Sequence, residues 1–316
     1  MRLDAHAMIA LAGMSLVIWV LLKFFRGGFW RADQYLCQSG SLREWPTVVV
    51  IMPARNEEQT IGDAVKSLAE QDYPGLIQIV VVDDESSDAT PSLVGNWPNL
   101  HFVQGVALPK GWTGKLWAVQ QGLNYVKAHL PSATFILMTD ADIKHGRKNI
   151  RELVFKAETE SLHLVSLMVM LRTKSFWEKL LMPAFVFFFQ KLYPFSWVND
   201  PKKKTAAAAG GCILIRRQTL VPADSLKTVR DHLIDDCAIG KEIKARGPIW
   251  LGITKETHSL RAYQSLQDVW NMVTRNAFRQ LGYSSIALIV TVVGMVLTYL
   301  VPPITLFYGF ISNHYA

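Results

Sequence analysis

Both ends of the chain lack charged side chains. Residues 7–22 contain no Asp, Glu, Lys or Arg, nor do residues 280–316, so all 33 basic and 26 acidic residues lie elsewhere. A charged globular middle between two apolar ends is typical of a domain attached to a membrane. The pattern excludes disordered and collagen-like chains, and three widely spaced cysteines exclude a disulfide-stapled one. The sequence therefore divides into an N-terminal anchor and linker (1–45), a globular domain (46–280) and a C-terminal membrane segment (281–316).

The N-terminal segment Ala5–Phe25 is apolar and long enough to cross a hydrocarbon core of roughly 30 Å as a helix, which rises about 1.5 Å per residue. No small residues suited to signal cleavage follow it, which favours a retained anchor. Arg2 alone precedes the apolar run, whereas four basic residues follow it. By the positive-inside rule, this asymmetry predicts a globular domain on the cytoplasmic face. The four residues are Lys23, Arg26, Arg31 and Arg43.

The C-terminal segment Leu281–Val301 is also apolar, and two arginines precede it. Pro302 and Pro303 then predict a break in the helix, because proline cannot donate a backbone hydrogen bond. The remaining apolar stretch, Ile304–Ile311, is too short to cross a second time. The expectation is a re-entrant tail, or a chain that stops before its natural end.

A third apolar block, Phe176–Val198, is interrupted by charged residues and by Pro183. Its aromatic content and the basic run that follows predict a helix in the membrane interface, within a segment of about 176–204. A buried core helix is the alternative, because apolar residues at helical spacing are also typical of a core. The basic run, Lys202 to Lys204, has no interleaved aromatic stripe, so an anionic lipid surface explains it better than nucleic acid, and no nucleic-acid partner is expected.

Short apolar runs alternate with helical periodicity in the globular domain. Thr47–Met52, Ile77–Val82 and Thr134–Thr139 predict strands buried on both faces, because their apolar character is nearly continuous. Apolar stripes at helical spacing lie between them, over residues 61–69 and 116–126. This alternation indicates an α/β fold with a mostly parallel sheet, in which ligands bind at the carboxyl ends of the strands.

Acidic residues cluster at these strand ends. One strand runs into Asp83 and Asp84, and paired carboxylates there point to function because like charges repel unless something bridges them. Another strand runs into Asp140 and Asp142, whose spacing suits a hard cation together with a ribose or a diphosphate. These positions predict a ligand site at one edge of the sheet.

Four residues farther along the chain are additional candidates. Asp235 and Asp236 precede a helical stripe, where adjacent acids also favour a helix N-terminus. His258 could complete a metal shell, and Arg261 could hold a diphosphate, by the reach of imidazole and guanidinium groups. A structural role is the alternative for each of them.

Three segments in this order, VVVIMPARNEEQTI, IVVVDDESSDAT and LMTDAD, resemble the family-two nucleotide-sugar glycosyltransferases with the GT-A fold. The further segments GWTGKLWA, GGCILIRR and IDD narrow the resemblance to the hopene-associated glycosyltransferases of hopanoid biosynthesis, with carotenoid-modifying glycosyltransferases as near neighbours. The resemblance covers about residues 46–280. It implies a mostly parallel GT-A sheet flanked by helices, in an integral protein of the cell inner membrane.

The resemblance also implies a role for each matched residue. Asp84 would accept from a uracil ring, Asp140 would face the ribose, and Asp142 would bind a Mn²⁺ or Mg²⁺ cofactor. Asp236 would be the catalytic base, but Asp235 stands where the family commonly has Glu, so either could take the proton. The other nucleotide-sugar contacts would be Pro53, Ala54, Arg55, Glu57 and Lys115, and the acceptor side would be shaped by Gly210, Gly211 and Cys212.

The implied reaction is an inverting transfer, in which a base takes the proton of the acceptor hydroxyl while a cation stabilises the departing diphosphate. The chain departs from the Q-x-x-R-W motif of the processive members, which disfavours polymer synthesis. The expected function is transfer of one sugar from a UDP-sugar to a hydroxyl of a hopanoid-related membrane lipid. The alternatives are a polyprenyl-phosphate or carotenoid glycosyltransferase, and an inactive membrane adaptor that retains the fold.

Overall fold

The computed structural model describes residues 5–36, 40–220, 235–281 and 284–314. Arg2 and the side chain of Asp235 lie outside the described parts. One mixed sheet of eight strands forms the centre of the fold. The strands are β1 (Val48–Ala54), β2 (Ile77–Asp83), β3 (Leu100–Gln104), β4 (Phe135–Met138), β5 (Ile143–Lys144), β6 (Leu164–Met170), β7 (Ile213–Arg216) and β8 (Ile249–Ser259). All three strands predicted from the sequence are present, as β1, β2 and β4.

The sheet is parallel on one side and mixed on the other. Its strand order is β3-β2-β1-β4-β7-β6-β8-β5. The four strands from β3 to β4 run parallel, whereas β7 is antiparallel to both β4 and β6, and β5 is antiparallel to β8. The α/β prediction is confirmed, and the antiparallel β7 brings the chain before it, residues 209–212, to the carboxyl end of β4.

Helices cover both faces of the sheet. Along β1, Val49 and Ile51 belong to one core, while Val48 and Val50 belong to the core on the opposite face. Burial of alternate residues on opposite sides explains why this strand is continuously apolar in sequence. The helices are α1 (Ala5–Phe25), α2 (Ile61–Ala69), α3 (Thr90–Leu93), α4 (Gly114–His129), α5 (Asn149–Thr159), α6 (Phe176–Leu192), α7 (Phe195–Asn199), α8 (Arg217–Leu220), α9 (Asp235–Lys244), α10 (Leu266–Gln280), α11 (Ser285–Met295) and α12 (Val301–His314).

Two helical stretches are long and apolar enough to cross a membrane: His6–Phe25, within α1, and Ser285–Phe310. The second corrects the expectation of a helix broken at Pro302 and Pro303. A π-helical turn, Val296–Leu300, joins α11 to α12, and the helix continues through both prolines. The stretch is therefore one candidate span rather than a span followed by a short tail.

An indole compensates for the missing proline donors. In α-helical register the carbonyl of Thr298 would accept from residue 302, and in π-helical register from residue 303, but neither proline has an N–H. Trp19 Nε1 of α1 donates to this carbonyl instead, over 2.8 Å. The ring of Trp19 also packs edge-on against Tyr299, with centroids 5.6 Å apart. The two candidate spans are thus held together at the point where the prolines would weaken the helix.

The third apolar block forms α6 and α7. The helix α6 begins with a capping box between Ser175 and Glu178 and contains Pro183. It packs partly against the core, yet Phe176 and Leu180 are 68% and 55% exposed. Two of its phenylalanines contact aromatic rings near the end of α1 and in the C-terminal helix. An interfacial position for this segment stays a prediction, which these exposed apolar side chains support.

Candidate functional site

Three strands end side by side at one edge of the sheet. Because β1 lies between β2 and β4, the segments that follow these strands become neighbours. Ala54 pairs with Asp83, and the Asp84 amide donates to the Ala54 carbonyl over 2.8 Å. The motifs that the sequence placed at strand ends therefore share one edge, as the parallel arrangement requires.

Asp84 follows β2, packs beside the start of α4 and is only 6% exposed. Arg55 Nη1 stands 3.4 Å from its Oδ2. A Cβ on Gly114 would lie 2.8 Å from the same oxygen, so glycine permits the close approach of the helix start to this carboxylate. Asp83, by contrast, turns toward the neighbouring strand β3, where its Oδ2 accepts from Gln104 Nε2 over 3.0 Å. Of the two aspartates, Asp84 is the one that faces the cationic side chain of Arg55.

Residues from four separate segments converge on Gly210. Lys115 Nζ lies 2.6 Å from Asp140 Oδ1. The Gly210 amide donates to Asp236 Oδ2 over 2.9 Å, and a Cβ on Gly210 would lie 3.2 Å from Lys115 Nζ and 3.3 Å from Asp236 Oδ2. These residues line one pocket, and Pro53 of β1 lines it too. The absence of a side chain at Gly210 therefore leaves room for the ammonium group of Lys115 and the carboxylate of Asp236, and the same ammonium group pairs with Asp140.

The carboxylate of Asp236 is fixed at both oxygens. Oδ1 accepts from the Cys237 amide over 2.8 Å, and Oδ2 accepts from Gly210. Asp235 begins α9. The acidic pair thus stands at a helix N-terminus, as the purely structural alternative predicted. The carboxylate of Asp236 also reaches the pocket beside Gly210.

Asp142 is paired with a guanidinium. Arg261 Nε donates to Asp142 Oδ2 over 2.9 Å, and Arg261 Nη2 also pairs with Glu57. Ser259 Oγ donates to the same Asp142 oxygen over 3.2 Å. Burial alone would lower the pKa of Arg261, but the charges of Asp142 and Glu57 raise it. Burial raises the pKa of Glu57, with Asp142 acting in the same direction and Arg261 opposing it.

His258 occupies the strand position next to Ser259 and pairs in register with Lys144. Adjacent strand residues point to opposite faces, and it is Ser259 that bonds to Asp142. Among the described residues, no three His, Cys, Asp or Glu side chains are grouped to hold a metal ion. A divalent cation bound through one carboxylate and diphosphate oxygens needs no such group, and Asp142 Oδ1 accepts no hydrogen bond from the described residues. The donor set therefore fits Mn²⁺ or Mg²⁺ at Asp142.

Sequence reasoning missed the polar network beneath the pocket. The Asn149 side-chain amide donates to His145 Nδ1 over 2.9 Å, which leaves the imidazole proton on Nε2 to bond with Thr139 Oγ1 at 2.8 Å. Thr139 in turn donates to the Gly211 carbonyl over 2.9 Å. Burial lowers the pKa of His145 to about 3, so the imidazole stays neutral. The network ties Gly211 to the residue that precedes Asp140.

A buried serine holds the same turn from the other side. Ser166 Oγ accepts from the Ala209 amide over 2.9 Å and donates to the Cys212 carbonyl over 3.0 Å. The thiol of Cys212 is fully buried, and burial raises its pKa to about 12. Gly210 therefore faces the pocket, whereas the side chain of Cys212 belongs to the core.

Glu178 links α6 to the chain that carries Arg261. Its fully buried carboxylate accepts from Arg172 Nη1 over 2.7 Å and from the Tyr263 amide over 2.8 Å. Burial alone would raise the pKa of Glu178, but backbone donors from Tyr263, Ser175 and Lys174, and then Arg172, lower it to about 2. The only sequence signal was a Ser-x-x-Glu capping box, which identifies the helix start but not the contact with residue 263.

The profile described as "Glycosyl transferase family 2" matches residues 49–221, more than half of the chain. The protein is a member of glycosyl transferase family 2. A curated relative from Staphylococcus aureus (strain bovine RF122 / ET3-1), named 4,4'-diaponeurosporenoate glycosyltransferase, is 24% identical over 233 residues, which cover 71% of this chain and 60% of the relative. A Synechocystis enzyme named beta-monoglucosyldiacylglycerol synthase is 34% identical over 91 residues, or 27% of this chain and 19% of that enzyme. The glycosyltransferase chain therefore spans less than two thirds of the length of these curated relatives.

The fold of this glycosyltransferase is similar to that of a mannosyltransferase from Pyrobaculum calidifontis solved with GDP-Man and Mn²⁺. The two share 20% sequence identity with a TM-score of 0.53, and the match covers 85% of this chain and 71% of the other. The likeness confirms the GT-A-like fold predicted from the strand-end motifs.

Proposed function

We propose that this glycosyltransferase moves one sugar from a UDP-sugar to a hydroxyl of a membrane lipid, with inversion at the anomeric carbon. The observation that carries the proposal is the convergence of Lys115, Asp140 and Asp236 on Gly210 at the strand ends. A nucleotide pocket needs a cation and ribose-facing carboxylate, and an inverting displacement needs a fixed base. Lys115, Asp140, Asp236 and Gly210 come from four separate segments, and a module that only binds a ligand has no need for a fixed base.

Each pocket residue has a proposed task. Asp84 accepts from the uracil ring, with Pro53, Ala54, Arg55 and Glu57 lining the same pocket. Asp236, held at both oxygens, takes the proton of the acceptor hydroxyl as that oxygen attacks the sugar. Asp235 stays the alternative base.

Arg261 and Asp142 are proposed to handle the diphosphate together. Asp142 would hold Mn²⁺ or Mg²⁺, which when bound stabilises negative charge on the leaving diphosphate. His258, predicted as a second ligand, lies on the opposite face of β8 from Ser259 and is left out of this proposal. Arg261 already lies between Asp142 and Glu57, so it stands where a second cationic group could pair with the same phosphates. The Mn²⁺ in the mannosyltransferase of similar fold supports this assignment.

The acceptor is proposed to arrive laterally from the bilayer. Two candidate spans and the exposed apolar side chains of α6 support an integral membrane protein. The basic residues that follow α1 support a catalytic domain on the cytoplasmic face of the inner membrane. The names of the two curated relatives, which refer to diaponeurosporenoate and to a glucosyldiacylglycerol, support a lipid acceptor. The sequence motifs favour a hopanoid-related lipid, with Gly210 and Gly211 shaping the acceptor side.

The decisive experiment incubates the purified full chain with a panel of UDP-sugars, Mn²⁺ and lipid acceptors, with mass spectrometry of the products. The expected product is a lipid carrying one added hexose. Separate arms contain hopanoid alcohols, a carotenoid acid and a polyprenyl phosphate, and the arm that yields product identifies the acceptor class. No product and no UDP release in any arm would favour the inactive adaptor.

A further inference from the structure

A pocket outside the glycosyltransferase site lies where α1 meets the α6–α7 segment. Just beyond α1, Gly27 and Gly28 have φ of +60° and +59°, which turn the chain back toward α7. A Cβ on Gly27 would lie 2.8 Å from both Pro194 Cβ and Trp197 Nε1, so only glycine allows this close contact. The turn encloses a cavity of about 280 Å³. We call this cavity the juxtamembrane pocket; its walls include Lys23, Gly27, Gly28, Arg31, Gln190 and Ser196.

The neighbouring Arg26 makes the walls of the juxtamembrane pocket rigid. Arg26 Nε donates to the Lys191 carbonyl over 3.0 Å, and Nη2 donates to the Leu192 carbonyl over 3.1 Å, so it caps the C-terminal end of α6. The guanidinium also lies over the ring of Trp197, 5.2 Å from its centroid. Arg26 is thus committed to the protein, and the pocket persists as a feature of the folded chain.

The charge of the juxtamembrane pocket is positive. Lys23 and Arg31 both line it, and neither forms an ion pair with a carboxylate in the described part of the chain. The single acidic residue of the lining, Asp33, accepts a hydrogen bond from Gln34 Nε2 over 3.0 Å. Two cationic side chains that line one concave surface favour an anion with several acceptor oxygens.

Position along the chain indicates which anion this is. The pocket opens at the end of the first candidate span, where the polar groups of a bilayer would lie if α1 crosses it. Phe24 and Trp30, which are 67% and 48% exposed, also line the pocket, as aromatic residues do at a membrane interface. Basic pockets at the cytoplasmic end of membrane helices bind anionic lipid headgroups.

We propose that the juxtamembrane pocket binds the phosphate headgroup of an anionic bilayer phospholipid. This site is separate from the sugar-transfer pocket. It rests on the proposed membrane crossing of α1, but not on the reaction. Occupation by lipid would add to the link that Arg26 already makes between the end of α1 and α6, and so fix the height of the catalytic domain above the bilayer.

Native mass spectrometry of the full chain in neutral detergent tests the proposal, with phosphatidylglycerol and phosphatidylcholine as probes. The wild-type chain should retain one phosphatidylglycerol in preference to phosphatidylcholine. Each basic residue near an anionic lipid contributes about fivefold in affinity, so Lys23→Gln/Arg31→Gln should bind phosphatidylglycerol about 30-fold more weakly. The charge-matched control Lys127→Gln/Lys148→Gln, on α4 and before α5, should bind within about twofold of wild type.

A charge-preserving variant guards against a purely structural effect. Lys23→Arg/Arg31→Lys should keep phosphatidylglycerol affinity within about threefold of wild type. Equal affinity for the two lipids, or equal losses in the pocket and control variants, would overturn the proposal. Displacement of the lipid by millimolar glycerol phosphate would also overturn it, since the pocket would then recognise a free phosphate. Lipid retention is measured without UDP-sugar, so this result stands apart from success or failure of the transfer assay.

Discussion

Replacing Asp236 with asparagine should separate the base function of this carboxylate from its structural contacts. An amide has one acceptor oxygen, so it can keep the hydrogen bond from either Cys237 or Gly210, but not both. Loss of one such bond costs about 1–3 kcal/mol of folding stability, which a domain with about 5–15 kcal/mol can tolerate. Loss of the proton acceptor should lower kcat by about 10²–10⁴, equivalent to roughly 3–5 kcal/mol in the barrier.

Activity and structure are therefore expected to change by different amounts. Steady-state UDP release gives kcat, calorimetric titration gives UDP affinity, and thermal unfolding in detergent gives stability. UDP affinity of Asp236→Asn should stay within about threefold of wild type, because the proposed nucleotide contacts are made by other residues. Ser166→Ala is the matched control, since it removes hydrogen bonds to the same turn without touching the base. It should lose about 1–3 kcal/mol of stability but less than tenfold in kcat.

Three outcomes would refute the assignment of Asp236. If Asp236→Asn keeps kcat within tenfold, the carboxylate is a helix cap and not the base. If Asp235→Asn loses more activity than Asp236→Asn, the base lies one residue upstream, where the family commonly has Glu. A parallel loss of UDP binding and stability in Asp236→Asn would indicate a structural role only.

Three further perturbations test other contacts. Metal removal by EDTA should strongly weaken UDP binding to wild type, and Asp142→Asn should abolish this metal dependence while remaining folded; calorimetric UDP affinity that is unchanged by EDTA would reject the metal site. Glu178→Gln should destabilise the protein by about 2–4 kcal/mol, because it breaks a buried ion pair. The pKa of Glu178 falls from an ordinary 4.5 to about 2, so the carboxylate stabilises the folded state fully above pH 4.5, and this stabilisation is lost as the pH falls toward 2. The free energy of unfolding measured across that range should therefore depend less on pH in the variant. Trp19→Phe should lower thermal stability in detergent by about 1 kcal/mol, because it removes the donor to the Thr298 carbonyl. Adding Pro302→Ala to this variant should recover most of the loss, since residue 302 can then donate to the same carbonyl. A double variant as unstable as Trp19→Phe would contradict the compensation.

The prediction of the C-terminal tail illustrates a limit of local rules. Two prolines in sequence predict a helix break, because the rule counts only backbone donors of the same segment. In the folded protein the carbonyl of Thr298 accepts instead from Trp19, which lies 279 residues away from Thr298 along the chain. A donor supplied from so distant a position leaves no trace in the sequence around the prolines.

The sequence predicted those site residues that directly follow a strand. Asp84, Asp140 and Asp142 follow apolar strands directly, and parallel strands must present their carboxyl ends together, so their common edge followed from the pattern. Arg261 was identified by its chemistry alone, and its pairing with both Glu57 and Asp142 required the path of β8. His145 and Ser166 gave no signal, because a buried polar residue is recognised only by the partners that the fold supplies.

The sequence by itself determined the two apolar ends, the α/β class, the strands β1, β2 and β4, and the acidic edge where they end, because each depends on neighbouring residues and on a fixed backbone period. Tertiary structure alone decided the antiparallel entry of β7, which places Gly210 between Lys115 and Asp236. Strand order and the approach of distant segments are set by the packing of whole faces against each other. Such packing energy is spread over many residues, so no single motif records it.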